Sequence, residues 1–212
     1  MQEQRPKAKI ITVATKLFAR AGYGSTSIQS IANEVGIRKQ SLLYHFPSKE
    51  VLRDAVTDDL LQRWQVRMPD LLAAATRGNE KFEAVFLEIV SFFREDSNRA
   101  LYIMREVVDR PAESKQRIGV ALGPWLMMLA QAIEEGRVAG RVRKDVDAQA
   151  YLVEMVVLIV GTFVAADLAS AVFPDQSASV RVEQQIREIL RMARTSLFTE
   201  DVLAGLKRER QS

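Results

Sequence analysis

The chain has 212 residues, 48% hydrophobic and 27% charged, which fits one or two helical domains with a sizeable core and excludes a disordered or collagen-like chain. It contains no cysteine, so disulfide frameworks and thiolate chemistry are unavailable and a reducing cytoplasm is the expected compartment; the first residues, MQEQRPKAK, lack the apolar stretch of a signal peptide. The formal charge of +3 is unevenly placed. Residues 1–49 carry Arg5, Lys7, Lys9, Lys16, Arg20, Arg38, Lys39 and Lys49 against Glu3 and Glu34, a net +6 that leaves −3 for the rest. A basic module on an acidic body attracts polyanionic DNA in a salt-dependent, sequence-independent way.

Helical periodicity runs through the whole chain, and no segment alternates convincingly as a strand. A first helix is predicted over about residues 7–21, where Ile10, Val13, Ala14, Leu17, Phe18 and Ala21 share a face between Pro6 and Gly22. Ser27 caps a second helix with Ile28, Ile31, Ala32 and Val35 at i, i+3, i+4 and i+7. Gly36 then supplies the freedom that a sharp turn requires. A third helix starts near Arg38. With Leu42 at the centre of its buried face, 100° steps bring Arg38 and Phe46 onto that face, put Gln40 and Tyr44 opposite, and leave Lys39, Ser41 and Leu43 on the flanks.

Pro47 interrupts the third helix and Ser48 caps a fourth, which is predicted through Val51, Leu52, Ala55, Val56 and Leu60 to about Trp64 as a lever between domains. Gly78 and Asn79 mark the next boundary. A phenylalanine-rich helix (Phe82, Val85, Phe86, Ile89, Phe92, Phe93) leads into a segment closed by Pro111. Gly123 and Pro124 predict a kink or break in the helix that follows, because proline removes a backbone donor. The polar run GRVAGRVRKDVD reads as a loop. Residues 147–170 are the most apolar segment, yet Glu154 and Asp167 leave only residues 155–166 uncharged, short of the roughly 20 that span a membrane, so a buried helix is expected. After the FPDQSAS linker comes an amphipathic helix with Val182, Ile186, Ile189, Leu190, Ala193 and Leu197. The tail GLKRERQS is expected to fray.

The segment LFARAGYGSTSI, the turn IANEVGI, the recognition segment SLLYHF and the helix opening PSKEVL occur in order, and this pattern resembles the tetracycline-repressor (TetR) family of transcriptional regulators. The resemblance covers about the first quarter of the chain. It implies an all-α fold of about nine helices, with a three-helix helix-turn-helix DNA-binding domain over residues 1–50 and a helical effector-binding and dimerisation domain over 51–212. The expected DNA-contacting set is Ser27, Gln29, Arg38, Lys39, Gln40, Ser41, Leu43, Tyr44, His45 and Lys49. Two positions depart from the family pattern, which has serine or threonine at Arg38 and tyrosine at Leu43. Leu43 cannot donate a hydrogen bond to phosphate, although it can touch a thymine methyl, and Tyr44 stands beside it.

The small residues Gly161, Ala165, Ala166 and Ala169 permit close helix approach, and Ile186, Ile189, Leu190, Ala193 and Leu197 offer a second apolar stripe. Either an intramolecular core or a four-helix interface between two chains accounts for them; the resemblance implies the homodimer, whose two recognition helices read a palindrome. Phe92, Phe93, Tyr102, Met104, Trp125, Met128, Met155, Thr162 and Phe163 are candidates for the small-molecule effector cavity that the resemblance implies, against the alternative of plain packing. Glu154 and Asp167 are further polar candidates. Enzyme activity is not expected, since the single histidine, His45, lies in the DNA motif and no metal set, nucleophile-base pair or phosphate loop can be assembled. No cofactor is predicted. The sequence therefore points to a dimeric repressor of operator DNA, released by a small hydrophobic or amphipathic effector and with no membrane role; the alternatives are a constitutive DNA-binding dimer and a helical protein-binding adaptor.

Overall fold

The structure, a computed structural model, describes residues 4–75 and 81–209, so the boundary predicted at Gly78 and Asn79 lies outside it. Its amino-terminal part is built by α1 (Gln4–Ala21), α2 (Ile28–Val35) and α3 (Lys39–His45). Ile10, Ala14 and Phe18 recur at i, i+4 and i+8 along α1 and are buried; Gly22, at φ +85°, stops that helix with its N–H on the Phe18 carbonyl. Ser27 and Ser30 form a reciprocal capping box at the start of α2. Gly36, at φ +80°, ends it by donating to the carbonyls of Ala32 and Asn33, and Ile37 N–H also reaches Ala32. This left-handed turn aims α3 so that Leu42 is completely buried against Ile31, Ala32 and Val35 in a shared core. Truncating Leu42 to alanine would cost about 2–5 kcal/mol.

Arg38 departs from the helical-wheel reading. It is the cap before α3, with extended backbone, so the 100° step does not apply to it and its side chain is exposed rather than on the buried face.

Helix α4 (Lys49–Ala75) starts with Ser48 Oγ accepting from Val51 N–H and buries Leu52, Val56 and Leu60; it runs on well past Trp64, the end expected for it. The body follows as α5 (Lys81–Glu95), α6 (Asn98–Asp109), α7 (Pro111–Val138), α8 (Ala148–Val164), α9 (Ala166–Val172), α10 (Ala178–Leu197) and α11 (Glu200–Glu209). Eleven helices are thus described where about nine were expected. The tail is helical to Glu209 rather than frayed, and residues 210–212 lie outside the described range. Among the described residues the only β-pairing is an isolated bridge between Val142 and Phe198.

The helix breaks differ from the expectation at two places. Pro124 lies inside an uninterrupted α7; the partner it leaves without a donor is the Val120 carbonyl, and Val120 and Pro124 are both exposed, so water can serve that group and the helix need not open. The apolar segment instead breaks at Ala165, where α8 and α9 meet at a 65° bend. Thr162 Oγ1 donates back to the Leu158 carbonyl in the preceding turn, a contact that bends helices, and Asp167 favours a new helix start. Among the described residues no single helix is long and apolar enough to cross a membrane. Nor is α8 buried all round, because Val153, Val157 and Leu158 remain exposed.

Candidate nucleic-acid interface and ligand cavity

The outer face of the helix-turn-helix presents the side chains expected there. Gln29, Arg38, Lys39, Gln40 and Ser41 are exposed, and Tyr44 is 78% exposed. Leu43 and His45 are half-buried at its edges, with the His45 ring edge-on to Tyr44 at 5.4 Å. Lys39, Gln40 and Tyr44 lie in the first and second turns of α3, where a helix laid in a major groove meets base edges and phosphates. Ser27, also exposed, spends its hydroxyl on the cap of α2, and Gln29 donates to Asn33 Oδ1 at 2.7 Å.

Lys49 is different. Its ammonium donates to the carbonyls of Tyr23 (2.7 Å) and Thr26 (2.8 Å) and lies over the Tyr23 ring, so two of its three donors are used inside the protein. The lysine expected to contact phosphate thus also clamps the loop between α1 and α2, with one donor left over. Tyr23 in turn donates to Glu50 at 2.6 Å and carries the Arg53 guanidinium on its ring at 4.4 Å. Burial, then the hydrogen bond and charge of Glu50, push the Tyr23 hydroxyl up to about 12, while that hydrogen bond holds the Glu50 carboxyl below its ordinary range.

A cavity of about 400 Å³ lies in the body between α4, α5, α6, α7 and α8, within the size range of small-molecule sites. Of the predicted residues, Phe92, Phe93, Tyr102, Met104 and Trp125 line it. The other four do not. Met128 is exposed, Met155 packs into the core, Phe163 stands behind the wall against Phe93 at 5.9 Å, and the Thr162 hydroxyl is used within its own helix. Glu154 and Asp167 are exposed and outside the lining.

Sequence reasoning missed most of the wall. Thr57, Leu60, Leu61 and Trp64 contribute one stripe of α4, and Ser114, Arg117, Ile118, Leu122, Trp125, Leu126 and Leu129 contribute one stripe of α7. Both follow helical spacing, which is the signal that could have found them. Polar groups gather at the junction of α6 and α7. There Glu106 accepts from the buried Arg53 at 2.5 Å, and Tyr102 Oη bonds to Thr57 Oγ1 at 2.8 Å and donates to the Arg53 carbonyl. Arg110 and Arg117 both donate to Asp54 Oδ1 at 3.0 Å, and Arg117 also pairs with Asp58. The Asp54 hydrogen bond holds the Arg110 guanidinium even more firmly charged than usual.

The predicted interface residues divide in the same way. Ile186, Ile189, Ala193 and Leu197 are buried within the chain's own cores, with Tyr151 donating to the Ala193 carbonyl at 2.9 Å; they are corrected to intramolecular packing. Leu190 is half-buried against the same core. Gly161, Ala165, Ala166 and Ala169 are half-exposed, and a Cβ added at Gly161 would meet nothing within 4 Å. The apolar groups left open nearby are Leu158, Leu168, Val172, Phe173, Val180 and Met192.

An exposed polar recognition helix, carried on a lever that also walls a cavity, defines a DNA-binding transcriptional regulator. The signature of the bacterial regulatory proteins of the tetR family matches residues 10–56, and the tetracyclin repressor-like C-terminal domain matches residues 100–195. The chain belongs to the TetR family. It is 24% identical over 150 residues to the fatty acid metabolism regulator protein of Bacillus subtilis, covering 70% of this chain and 77% of that one. It is 40% identical over 58 residues, 27% of each chain, to the HTH-type transcriptional regulator RutR of Escherichia coli. Among solved structures it shares its fold with a TetR regulator from Chloroflexus aurantiacus (TM-score 0.66, 21% identity, 93% and 99% of the two chains). It also shares it with a transcriptional regulator from Saccharomonospora viridis in complex with choline (TM-score 0.67, 19% identity, 93% and 100%).

Proposed function

We propose that this chain is a cytoplasmic, ligand-released repressor that binds a palindromic operator as a homodimer and has no catalytic role. The single observation that carries this reading is the path of α4. It leaves the recognition helix through Phe46 and Pro47 and then supplies Thr57, Leu60, Leu61 and Trp64 to the cavity wall. A molecule that fills the cavity must press on the element that sets the position of α3. We divide the chain into a DNA-binding part, residues 1–50, and an effector-binding and dimerising part, residues 51–212.

In the DNA part, Lys39 and Gln40 read base edges, lysine suiting guanine and glutamine suiting adenine, while Arg38, Ser41, Tyr44 and His45 meet the backbone around them. In the body, the open faces of α8 and α10 around Leu158, Gly161 and Met192 meet the same faces of a second copy. Two recognition helices about one helical turn of DNA apart then read both half-sites. A structural neighbour in complex with choline supports a small-molecule occupant for such a body. Genome-wide mapping of bound DNA recovers the operator, and titration of that operator with and without compounds that bind the body tests release. If every compound that binds leaves operator affinity unchanged, the chain is a constitutive DNA-binding dimer.

A further inference from the structure

The charged groups of the cavity sit at one end of an otherwise apolar wall, and they are not equivalent. Glu106 is already satisfied by the buried Arg53. Arg110 and Arg117, by contrast, are only about a quarter exposed, yet of the carboxylates that hold them Asp54 is about half exposed, at 46%, and Asp58 mostly exposed, at 72%. Both arginines line the cavity; both aspartates belong to α4. An anion entering from the apolar side can take the guanidinium donors while Asp54 and Asp58 return to water. Such an exchange preserves charge pairing and avoids leaving a half-buried cation bare.

We propose that the effector is an amphipathic carboxylate, its chain lying along the apolar wall and its headgroup taking Arg110 and Arg117 from Asp54 and Asp58. The inference rests on the reading of the cavity as the effector site and adds the chemistry that site selects. It also gives the exchange a mechanical result. Asp54 and Asp58 are among the contacts that tie α4 to the junction of α6 and α7, beside the buried Arg53–Glu106 pair and the Tyr102 bonds to Thr57 and the Arg53 carbonyl, so a headgroup that replaces them loosens the outer edge of that attachment close to the recognition helix. Glu113 is the one further acid on this wall; it is half exposed and stands 3.9 Å from Arg110, so it sets which end of the arginine pair the headgroup favours.

The chain's two tryptophans, Trp64 and Trp125, both line the cavity, so intrinsic fluorescence reports occupancy directly. The probes are dodecanoate, dodecyl phosphate, dodecanol and dodecyltrimethylammonium, which share a tail and differ in headgroup. Dodecanoate should bind at least about tenfold more tightly than dodecanol in the unaltered protein, and Arg117→Gln should bring that ratio close to one. Asp54→Asn should tighten dodecanoate binding, because it weakens the internal competitor; a merely structural role for Asp54 would loosen it. Dodecyl phosphate binding more tightly than dodecanoate would reassign the headgroup to phosphate. Equal or tighter binding of the alcohol or the ammonium, or weaker dodecanoate binding in Asp54→Asn, would overturn the proposal while leaving the cavity as an effector site. A fluorescence signal unmoved by all four probes would overturn the cavity reading itself, and the proposal with it.

Discussion

Lys49 lies across the face of Tyr23, its ammonium 4.1 Å from the ring centroid and 2.7 Å from the same residue's carbonyl oxygen. The first residue of the lever helix therefore fastens the loop that precedes α2, and the DNA-reading unit is locked to α4 by a cation rather than by apolar packing alone. Replacing Lys49 with methionine keeps the stem but leaves the carbonyls of Tyr23 and Thr26 without their charged donor. Urea denaturation should register a loss of about 1–3 kcal/mol. The salt slope of random-DNA binding should change by much less than the roughly one unit that removal of a direct phosphate contact produces. A full unit lost at unaltered stability would assign Lys49 to the phosphate backbone instead.

The hydroxyl of Tyr23 gives the same junction an alkaline limit. Its folded value, pushed up to about 12 by burial first and Glu50 second, exceeds that of an unfolded tyrosine near 10. A group raised on folding binds its proton more tightly in the native state, so its stabilising contribution is complete below about pH 10 and fades between about 10 and 12. Urea midpoints measured from about pH 8 upward should fall more steeply for the unaltered protein than for Tyr23→Phe, since the two proteins differ only in that hydroxyl. Parallel curves would mean that the Tyr23 proton is not linked to folding.

Gln40 and Lys39 stand on the open side of α3 with Leu42 buried behind them. Gln40→Ala should relax base preference at one position in each half-site, a loss of about 1–3 kcal/mol against the preferred sequence and little against random DNA. Selection of bound sequences from a random pool measures it. An unchanged preference would remove Gln40 from base readout.

The amino-terminal helices are legible in the sequence because each carries both its periodicity and its punctuation. Ser27 and Gly36 bracket α2, and Leu42 fixes the phase of α3. Periodicity alone says that a face is covered and not what covers it. Ile186, Ile189, Ala193 and Leu197 have the pattern of an interface, yet their own chain buries them. The cavity wall was hidden for a related reason, since Trp125 on the wall and Met155 in the core are equally apolar and only the path of the neighbouring helix separates them. The break at Ala165 carries neither glycine nor proline, while Pro124, which does announce a break, lies where water can serve the freed carbonyl.

Gly161 and Ala193 allow the proposed dimer face to be tested separately from folding. A side chain at Gly161 enters open space in the single chain, whereas Ala193 is completely buried. Gly161→Arg should therefore fold normally but sediment as a monomer and lose tight operator binding, because only one recognition helix per particle remains. Ala193→Arg should unfold the body. A folded Gly161→Arg protein that still sediments as a dimer would move the interface away from this face of α8.

Leu126 lies on the cavity stripe of α7, while Gly123 on the same helix lies outside the lining and would send an added side chain into open space. Leu126→Trp places a large ring in a cavity of about 400 Å³ and should exclude the effector; Gly123→Trp adds the same ring on another face and serves as the control. If cavity and lever are coupled, an effector lowers operator affinity by the factor by which operator lowers effector affinity, typically about 1–3 kcal/mol. Operator titrations with and without effector should show this release in the unaltered protein and in Gly123→Trp, and no release in Leu126→Trp. Random-DNA binding should keep the same salt dependence in all three, because the helix-turn-helix surface is untouched. Release that survives in Leu126→Trp would place the effector site outside this cavity, and release lost equally in both variants would mean that α7 acts through its packing and not through the space it encloses.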